Sequence, residues 1–139
     1  MRSKAPLGVI EQVIMLLVFA LAAAVCLRGF VRADSISQHN RNCDLAMVQM
    51  QNAAAVLQNS GGDLMTAVRI MGGQVEAECW SIHYNEQWEQ VEMDGAFVLQ
   101  AGLRASLPLM GTARITVADE GGQLTELMVS WQEVATHEE

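Results

Sequence analysis

The chain has 139 residues, a formal net charge of −8 and an isoelectric point near 4.7. Its length allows one small globular domain beside a membrane segment, and leaves little room for a deep catalytic cleft. The acidic balance excludes the basic surface that nucleic acids need, so no nucleic-acid partner is expected.

The first predicted element is a helix from about Leu7 to about Asn59, apolar on every side in its first half. Residues 12–27 carry no charge, and a helix of that character belongs in lipid. These sixteen residues span roughly 24 Å, short of the roughly 30 Å hydrocarbon core, so flanking residues must extend the span. We therefore predict a short basic leader or cytoplasmic end over residues 1–6 and a transmembrane helix over residues 7–33.

The orientation of this helix is inferred from its short basic start, which favours a cytoplasmic N-terminus and an exported C-terminal domain. The predicted location is the cell membrane, with a single pass and the C-terminal domain outside. A secretory signal peptide is the alternative, with cleavage after Ala33 and a mature chain that begins at Asp34. Against cleavage, the helical pattern continues without Pro or Gly between Val31 and Leu57.

The exported domain is predicted over residues 34–139, and it begins with the helix continuation over 34–60. A helix with one apolar stripe packs against a protein core. A short helix over 63–71 follows, with Asp63 as its N-cap and glycines at its end. The apolar seam of the long helix consists of Ile36, Cys43, Met50 and Leu57, with Met47 and Ala54 beside them.

Residues 75–132 change to a period of two, which predicts short antiparallel strands joined by turns. One face of such a sheet needs cover, and the seam of the long helix supplies it. The predicted fold class is α+β, with a long N-terminal helix packed on a roughly four-stranded antiparallel sheet. Residues 106–111 are predicted as a loop between two strands, and residues 133–139 as an acidic tail.

Cysteine and histidine placement predicts little chemistry. Cys43, on the helix, and Cys79, in a strand, are candidates for a disulfide in an exported domain; two buried thiols are the alternative. His39, His83 and His137 are not at the spacing of zinc ligands, and no glycine-rich phosphate loop is present. We therefore predict no metal, no cofactor and no enzymatic activity.

Glu11 lies one helical turn inside the apolar stretch, where a carboxylate needs a partner or a position at the lipid interface. An interfacial residue is one interpretation. The other is an assembly contact, in which the charged amino terminus of a neighbouring subunit pairs with Glu11. Such a heterologous contact propagates from subunit to subunit as a filament.

The layout resembles the type IV pilin and pseudopilin superfamily. The matching parts are Leu7-Gly8-Val9-Ile10-Glu11, the apolar run to Leu27, the amphipathic continuation to Leu57 and the strand-rich second half. The resemblance implies a pilin-like fold, a membrane-embedded prepilin peptidase that removes a basic leader, and a glutamate that guides assembly, here Glu11. Cleavage after Gly8 makes Glu11 the third mature residue, and cleavage after Pro6 makes it the fifth, the family's position. The candidate processing region is thus Pro6, Leu7, Gly8 and Val9.

The function implied by the resemblance is that of a non-enzymatic membrane subunit, minor pilin-like or pseudopilin-like. It assembles through its N-terminal helix with other pilin-like subunits, into a surface filament of the type IV pilus kind or a type II secretion-like apparatus. Two alternatives stay open. One is a single-pass anchored extracellular binding module, and the other is a domain secreted after signal peptidase cleavage.

Overall fold

A computed structural model describes residues 5–133, without the side chains of residues 5 and 105–107. Most of the predicted leader and most of the predicted acidic tail lie outside these residues. The fold is α+β, with a long N-terminal helix packed on an antiparallel sheet, as predicted. The elements in chain order are α1 (Ala5–Asn59), α2 (Leu64–Met71), β1 (Gln74–Glu76), β2 (Cys79–Tyr84), β3 (Gln90–Val91), β4 (Phe97–Leu107), β5 (Met110–Asp119) and β6 (Gly122–Gln132).

The chain divides into two compact units, residues 1–41 and residues 42–139, and the boundary falls within α1. In the first unit every side chain from residue 6 to residue 41 is exposed. In the second unit, α1 packs on one face of the sheet, which we call the inner face. The opposite face of the sheet is the outer face.

The buried stripe of α1 differs from the predicted seam at its start. Met50 and Leu57 are fully buried and Ala54 nearly so, as predicted, but Ile36 is 54% exposed and belongs to the first unit. Three alanines make up most of the stripe, so the large side chains of this shared core come mainly from the sheet. The buried residues of α1 are Ala46, Met50, Ala53, Ala54 and Leu57.

The short helix α2 begins and ends as predicted. Asp63 is its N-cap: Oδ1 accepts a hydrogen bond from the Met65 backbone N–H at 3.0 Å, and Oδ2 accepts one from the Thr66 hydroxyl. The bond from Thr66 lowers the pKa of the Asp63 carboxyl, because it stabilises the ionised form. Gly72 ends the helix at a φ of 82°, a conformation that favours glycine.

The sheet has six strands, two of them very short, rather than the four predicted. Its order is β1-β2-β4-β5-β6, and β3 pairs with β2 beyond the end of β1. The sequence does not predict β1, because its two-residue turn to β2 uses Ala77 and Glu78 in the left-handed region, at φ of 48° and 62°. Glycine and asparagine are the usual residues of such a turn.

The loop predicted over residues 106–111 is instead a tight turn. Leu107 pairs with Met110, so that only Pro108 and Leu109 connect β4 to β5. Proline fixes the backbone for the first turn position, and Leu109 adopts a φ of 68° at the second. Both strands are therefore longer than predicted.

The predicted alternation of buried and exposed residues is confirmed on the four long strands. Each strand directs its larger apolar side chains to the inner face, where they meet the stripe of α1. The buried residues of the sheet are Trp80, Ile82, Tyr84, Phe97, Leu99, Ala101, Ala113, Ile115, Val117, Val129 and Trp131, together with Gly111.

We expect Met50→Ala to lower the free energy of unfolding by about 2–5 kcal/mol, since it leaves a cavity between α1 and the sheet. The matched control is Val48→Ala, on the same helix at a side chain that is 49% exposed, with an expected effect within about 0.5 kcal/mol. Urea unfolding of the full chain in detergent micelles measures both. Equal losses in the two variants would contradict this packing of α1.

Tyr84 is the chain's single tyrosine, and its phenol is buried, with the hydroxyl donating to Gln49 Oε1 at 3.4 Å. Burial raises the pKa of Tyr84 above its ordinary value of 10.0. When the pH rises above the ordinary pKa of tyrosine, the unfolded chain loses the phenolic proton before the folded chain does. The free energy of unfolding therefore falls as the pH rises. We expect phenolate absorbance to appear at higher pH in the folded than in the unfolded chain, and Tyr84→Phe to lose this part of the alkaline destabilisation. Coincident titrations would contradict the burial.

Candidate functional site

Glu11 lies on α1 in an apolar surrounding. Its neighbours one turn away along the helix are Leu7, Gly8, Ile14 and Met15, and all of these positions are exposed. None carries a charge. Among residues 5–133, the nearest arginine or lysine along α1 is Arg28, seventeen residues further on and therefore about 25 Å along the axis. Within the described part of its own helix, Glu11 thus has no cationic side chain in reach.

The apolar surface around Glu11 extends over most of the first unit. Large apolar side chains from Leu7 to Val31 are all more than half exposed, and Phe19 and Phe30 are 74% exposed. Twenty-five helical residues span about 37 Å, more than the roughly 30 Å hydrocarbon core. By length and composition, this helix is therefore apolar and long enough to cross a membrane.

The candidate processing region lies in the first turns of the described helix. Leu7 and Val9 are exposed, and a side chain added at Gly8 would meet nothing within 4 Å. Glycine inside a helix costs about 0.5–1 kcal/mol relative to alanine, and Pro6 has no backbone N–H to donate. Gly8 therefore weakens the helix locally, whereas Pro6 lies in its first turn, where proline is tolerated, and processing in this region stays a prediction.

The structure places Cys43 and Cys79 on different sides of the sheet. Cys79 alternates with the buried Trp80 and so belongs to the outer face, whereas Cys43 lies on α1, which covers the inner face. They also lie in opposite directions from the contact between Tyr84 and Gln49: Cys79 is at the far end of β2, and Cys43 is nearer the start of α1. This placement favours the alternative of two thiols.

We expect Cys43 and Cys79 to be alkylated by iodoacetamide in the unfolded full chain without prior reduction. Cys26, which is exposed on the apolar helix, is the internal control for complete alkylation. Mass spectrometry of the peptides measures the result. A Cys43–Cys79 peptide pair that appears only before reduction would establish the disulfide instead.

A polar cavity of about 370 Å³ opens between the start of β1 and β3. Ser81 and His83 line it from the outer face of β2, as their spacing predicts, and Gln90 and Glu92 line it from β3 and the segment that follows. Nδ1 of His83 is buried and has no hydrogen-bond partner among the described residues. Residues 5–133 contain no group of three histidine, cysteine, aspartate or glutamate side chains close enough to hold a metal ion.

Sequence reasoning missed the basic pair Arg104 and Arg114 on the outer face. The register pairs Gly102 with Arg114 and Arg104 with Thr112, so the two arginines are diagonal neighbours on adjacent strands. Both lie at polar positions that alternate with apolar positions along their strands. That alternation was visible in the sequence, but their proximity depends on the register, which the tight turn at Pro108 and the irregularity between Arg104 and Leu107 determine together.

Comparisons of the chain with protein-family models, with curated proteins and with solved structures gave no match. The feature that most constrains function is the exposed apolar segment of α1 with Glu11 inside it.

Proposed function

We propose that the protein is a membrane-inserted pilin-like or pseudopilin-like subunit that assembles through its N-terminal helix into a surface filament or secretion apparatus. One observation carries the proposal: Glu11 is placed in an exposed helical segment that is otherwise uncharged as far as Leu27 and has no described cationic side chain in reach. The proposed role is structural and not enzymatic.

The exposed surface supports insertion in a membrane. Burial of a large apolar side chain contributes about 1.5–3 kcal/mol of favourable free energy, and this segment leaves more than a dozen such side chains exposed. Lipid or neighbouring helices of the same kind supply that burial. Single-pass insertion, with a cytoplasmic N-terminus and the second unit outside, is the arrangement that we propose.

The carboxylate supports assembly rather than simple anchoring. An unpaired charge in an apolar medium is costly, whereas a paired one is tolerated and selective. The partner that we propose is the charged amino terminus of the next subunit. Because donor and acceptor lie on different parts of each copy, the contact is heterologous, and it propagates in one direction unless the rotation between copies closes a ring.

Processing follows from the same proposal. A prepilin-type peptidase acting within Pro6 to Val9 would create the new amino terminus a few residues from Glu11. N-terminal mass spectrometry of the membrane and surface fractions distinguishes the candidates. A start at Leu7 or Val9 supports assembly, a start at Asp34 indicates a secreted domain, and an intact Met1 indicates a permanent anchor.

We expect Glu11→Ala to leave the second unit folded and the chain in the membrane, but to remove it from sheared surface filaments or from detergent-stable assemblies. The reason is that the neighbouring amino terminus then has no counter-charge in lipid. Co-purification of two differently tagged copies, before and after the substitution, measures the effect.

The matched control is Asp34→Ala, which removes a carboxylate of the same helix outside the apolar segment. It is expected to assemble like the wild type. Unchanged assembly of Glu11→Ala would exclude the role given to Glu11. A chimaera with residues 12–27 replaced by an unrelated apolar helix tests the anchored binding module, because a simple anchor tolerates that replacement.

A further inference from the structure

We propose that Arg104 and Arg114 form a carboxylate-binding site on the outer face of the sheet, occupied by the acidic segment of residues 76–94 from a second copy. The inference rests on the proposed function in one respect: assembly through α1 brings copies close enough for their second units to touch. It adds a second, electrostatic contact between subunits.

The site is a shallow depression of about 280 Å³ centred on Gly102. The register places Gly102 between Cys79 on β2 and Arg114 on β5, in one row across three strands. A side chain added at Gly102 would meet nothing within 4 Å. The missing side chain therefore leaves open space beside the Arg114 side chain, wide enough for a carboxylate.

Four polar side chains around the depression are hydrogen-bond donors. Arg104 and Arg114 supply guanidinium groups from adjacent strands, and Gln100 and Thr116 supply an amide and a hydroxyl from the next row. Guanidinium groups bind carboxylates through paired N–H donors in a planar fork. The lining thus matches an anionic, oxygen-bearing ligand.

The basic charge of this site is unusual within its own unit. Residues 42–133 contain three arginines, no lysine and twelve carboxylates, and two of the three arginines lie here. Like charges on neighbouring strands repel each other, so a counter-charge is favourable. The nearest described one is Glu126, whose Oε2 is 3.9 Å from Arg114. Both side chains are nearly half exposed, so this pair is weak, and it does not include Arg104.

The acidic segment is the complementary surface on the same molecule. Half of the twelve carboxylates fall between residues 76 and 94, where there is no arginine or lysine. One lies at the end of β1 and the other five lie in the turns and connections beside β1 and β3, at the edge of the sheet away from β6, and all are exposed. The six are Glu76, Glu78, Glu86, Glu89, Glu92 and Asp94.

The positions of the two surfaces favour a contact between copies. The arginines lie on the two central strands of the outer face, and the carboxylates lie at one edge. A symmetric contact centred on the arginines would oppose arginine to arginine. A contact of outer face to acidic edge joins unlike charges and leaves each copy with one unused surface, so it propagates like the contact proposed at Glu11.

The experiment uses the full chain in lipid vesicles, with Arg104→Lys to place a reactive amine in the site while keeping the positive charge. A carbodiimide then joins that amine to any carboxylate in direct contact, as an amide. Heavy-isotope-labelled and unlabelled copies are mixed, so that mass spectrometry separates links between copies from links within one copy. Arg69→Lys, an exposed arginine on α2 outside the site, is the matched control.

We expect mixed-isotope links from position 104 to peptides of residues 76–94, at a yield several-fold above the control. The yield should fall as ionic strength rises from about 0.15 M to about 1 M, since the Debye length shortens from about 8 Å to about 3 Å. Links only within one copy, links to other carboxylates, or a yield equal to the control would overturn the inference, and a yield unchanged by salt would exclude its electrostatic basis.

A charge-exchange test separates this contact from the one at Glu11. One copy carries Arg104→Glu and Arg114→Glu, and the other carries lysine at four positions of the acidic segment. Each alone should lose the link between second units, and the mixture should form it again. If copies co-purify through α1 but form no link between their second units, only the proposed contact at the arginines is overturned. If copies never associate, that contact and the assembly contact at Glu11 are both overturned. The four lysine substitutions are Glu76→Lys, Glu78→Lys, Glu86→Lys and Glu92→Lys.

Discussion

The packing of the alanine stripe of α1 against the large side chains of the inner face is the constraint on which the second unit depends. Ala46, Ala53 and Ala54 present almost no side chain, so the space between α1 and the sheet is filled mainly by large side chains of the strands such as Trp80. A small residue opposite a large one fills the space without a cavity. The same principle operates at Trp131, whose ring occupies the space above Gly62 and Gly111.

One helix therefore has to satisfy two environments. From residue 42 onward its packing partner is a protein core, and the stripe of small residues suits that partner. Up to residue 41 every described side chain is exposed, and from Leu7 to Val31 large apolar residues occupy all sides. At a protein surface in water, a charge such as Glu11 costs almost no free energy. In lipid the same charge needs a partner of opposite charge, so the position of Glu11 within the apolar segment matters more than the presence of a glutamate in the chain.

Sequence periodicity predicted the architecture because burial repeats with the geometry of each element. The period of two placed Trp80, Ile82 and Tyr84 on one face, and the structure confirms it. Asp63 followed by a helical pattern predicted the start of α2, because a side-chain cap depends on residues two and three positions away. Such local signals need no knowledge of the rest of the fold.

Features determined by tertiary contacts escaped prediction. β1 forms although its turn uses Ala77 and Glu78 at positive φ, because pairing with β2 outweighs that local strain. Ile36 fits the helical seam, but the sequence does not show where the packed part of the helix begins. The proximity of Arg104 and Arg114 depends on register. Glu11, in contrast, stands out in the sequence, since one carboxylate in an apolar run is visible without any structure.

Charge distribution bears on how the proposed subunit keeps its contacts specific. A unit with twelve carboxylates and three arginines over residues 42–133 repels its own copies in most orientations. Attraction is left to orientations that bring the arginines against carboxylates. Because two copies repel each other except where the arginines meet carboxylates, they associate in one orientation. That orientation, combined with the directional helix contact proposed at Glu11, gives a filament rather than an aggregate.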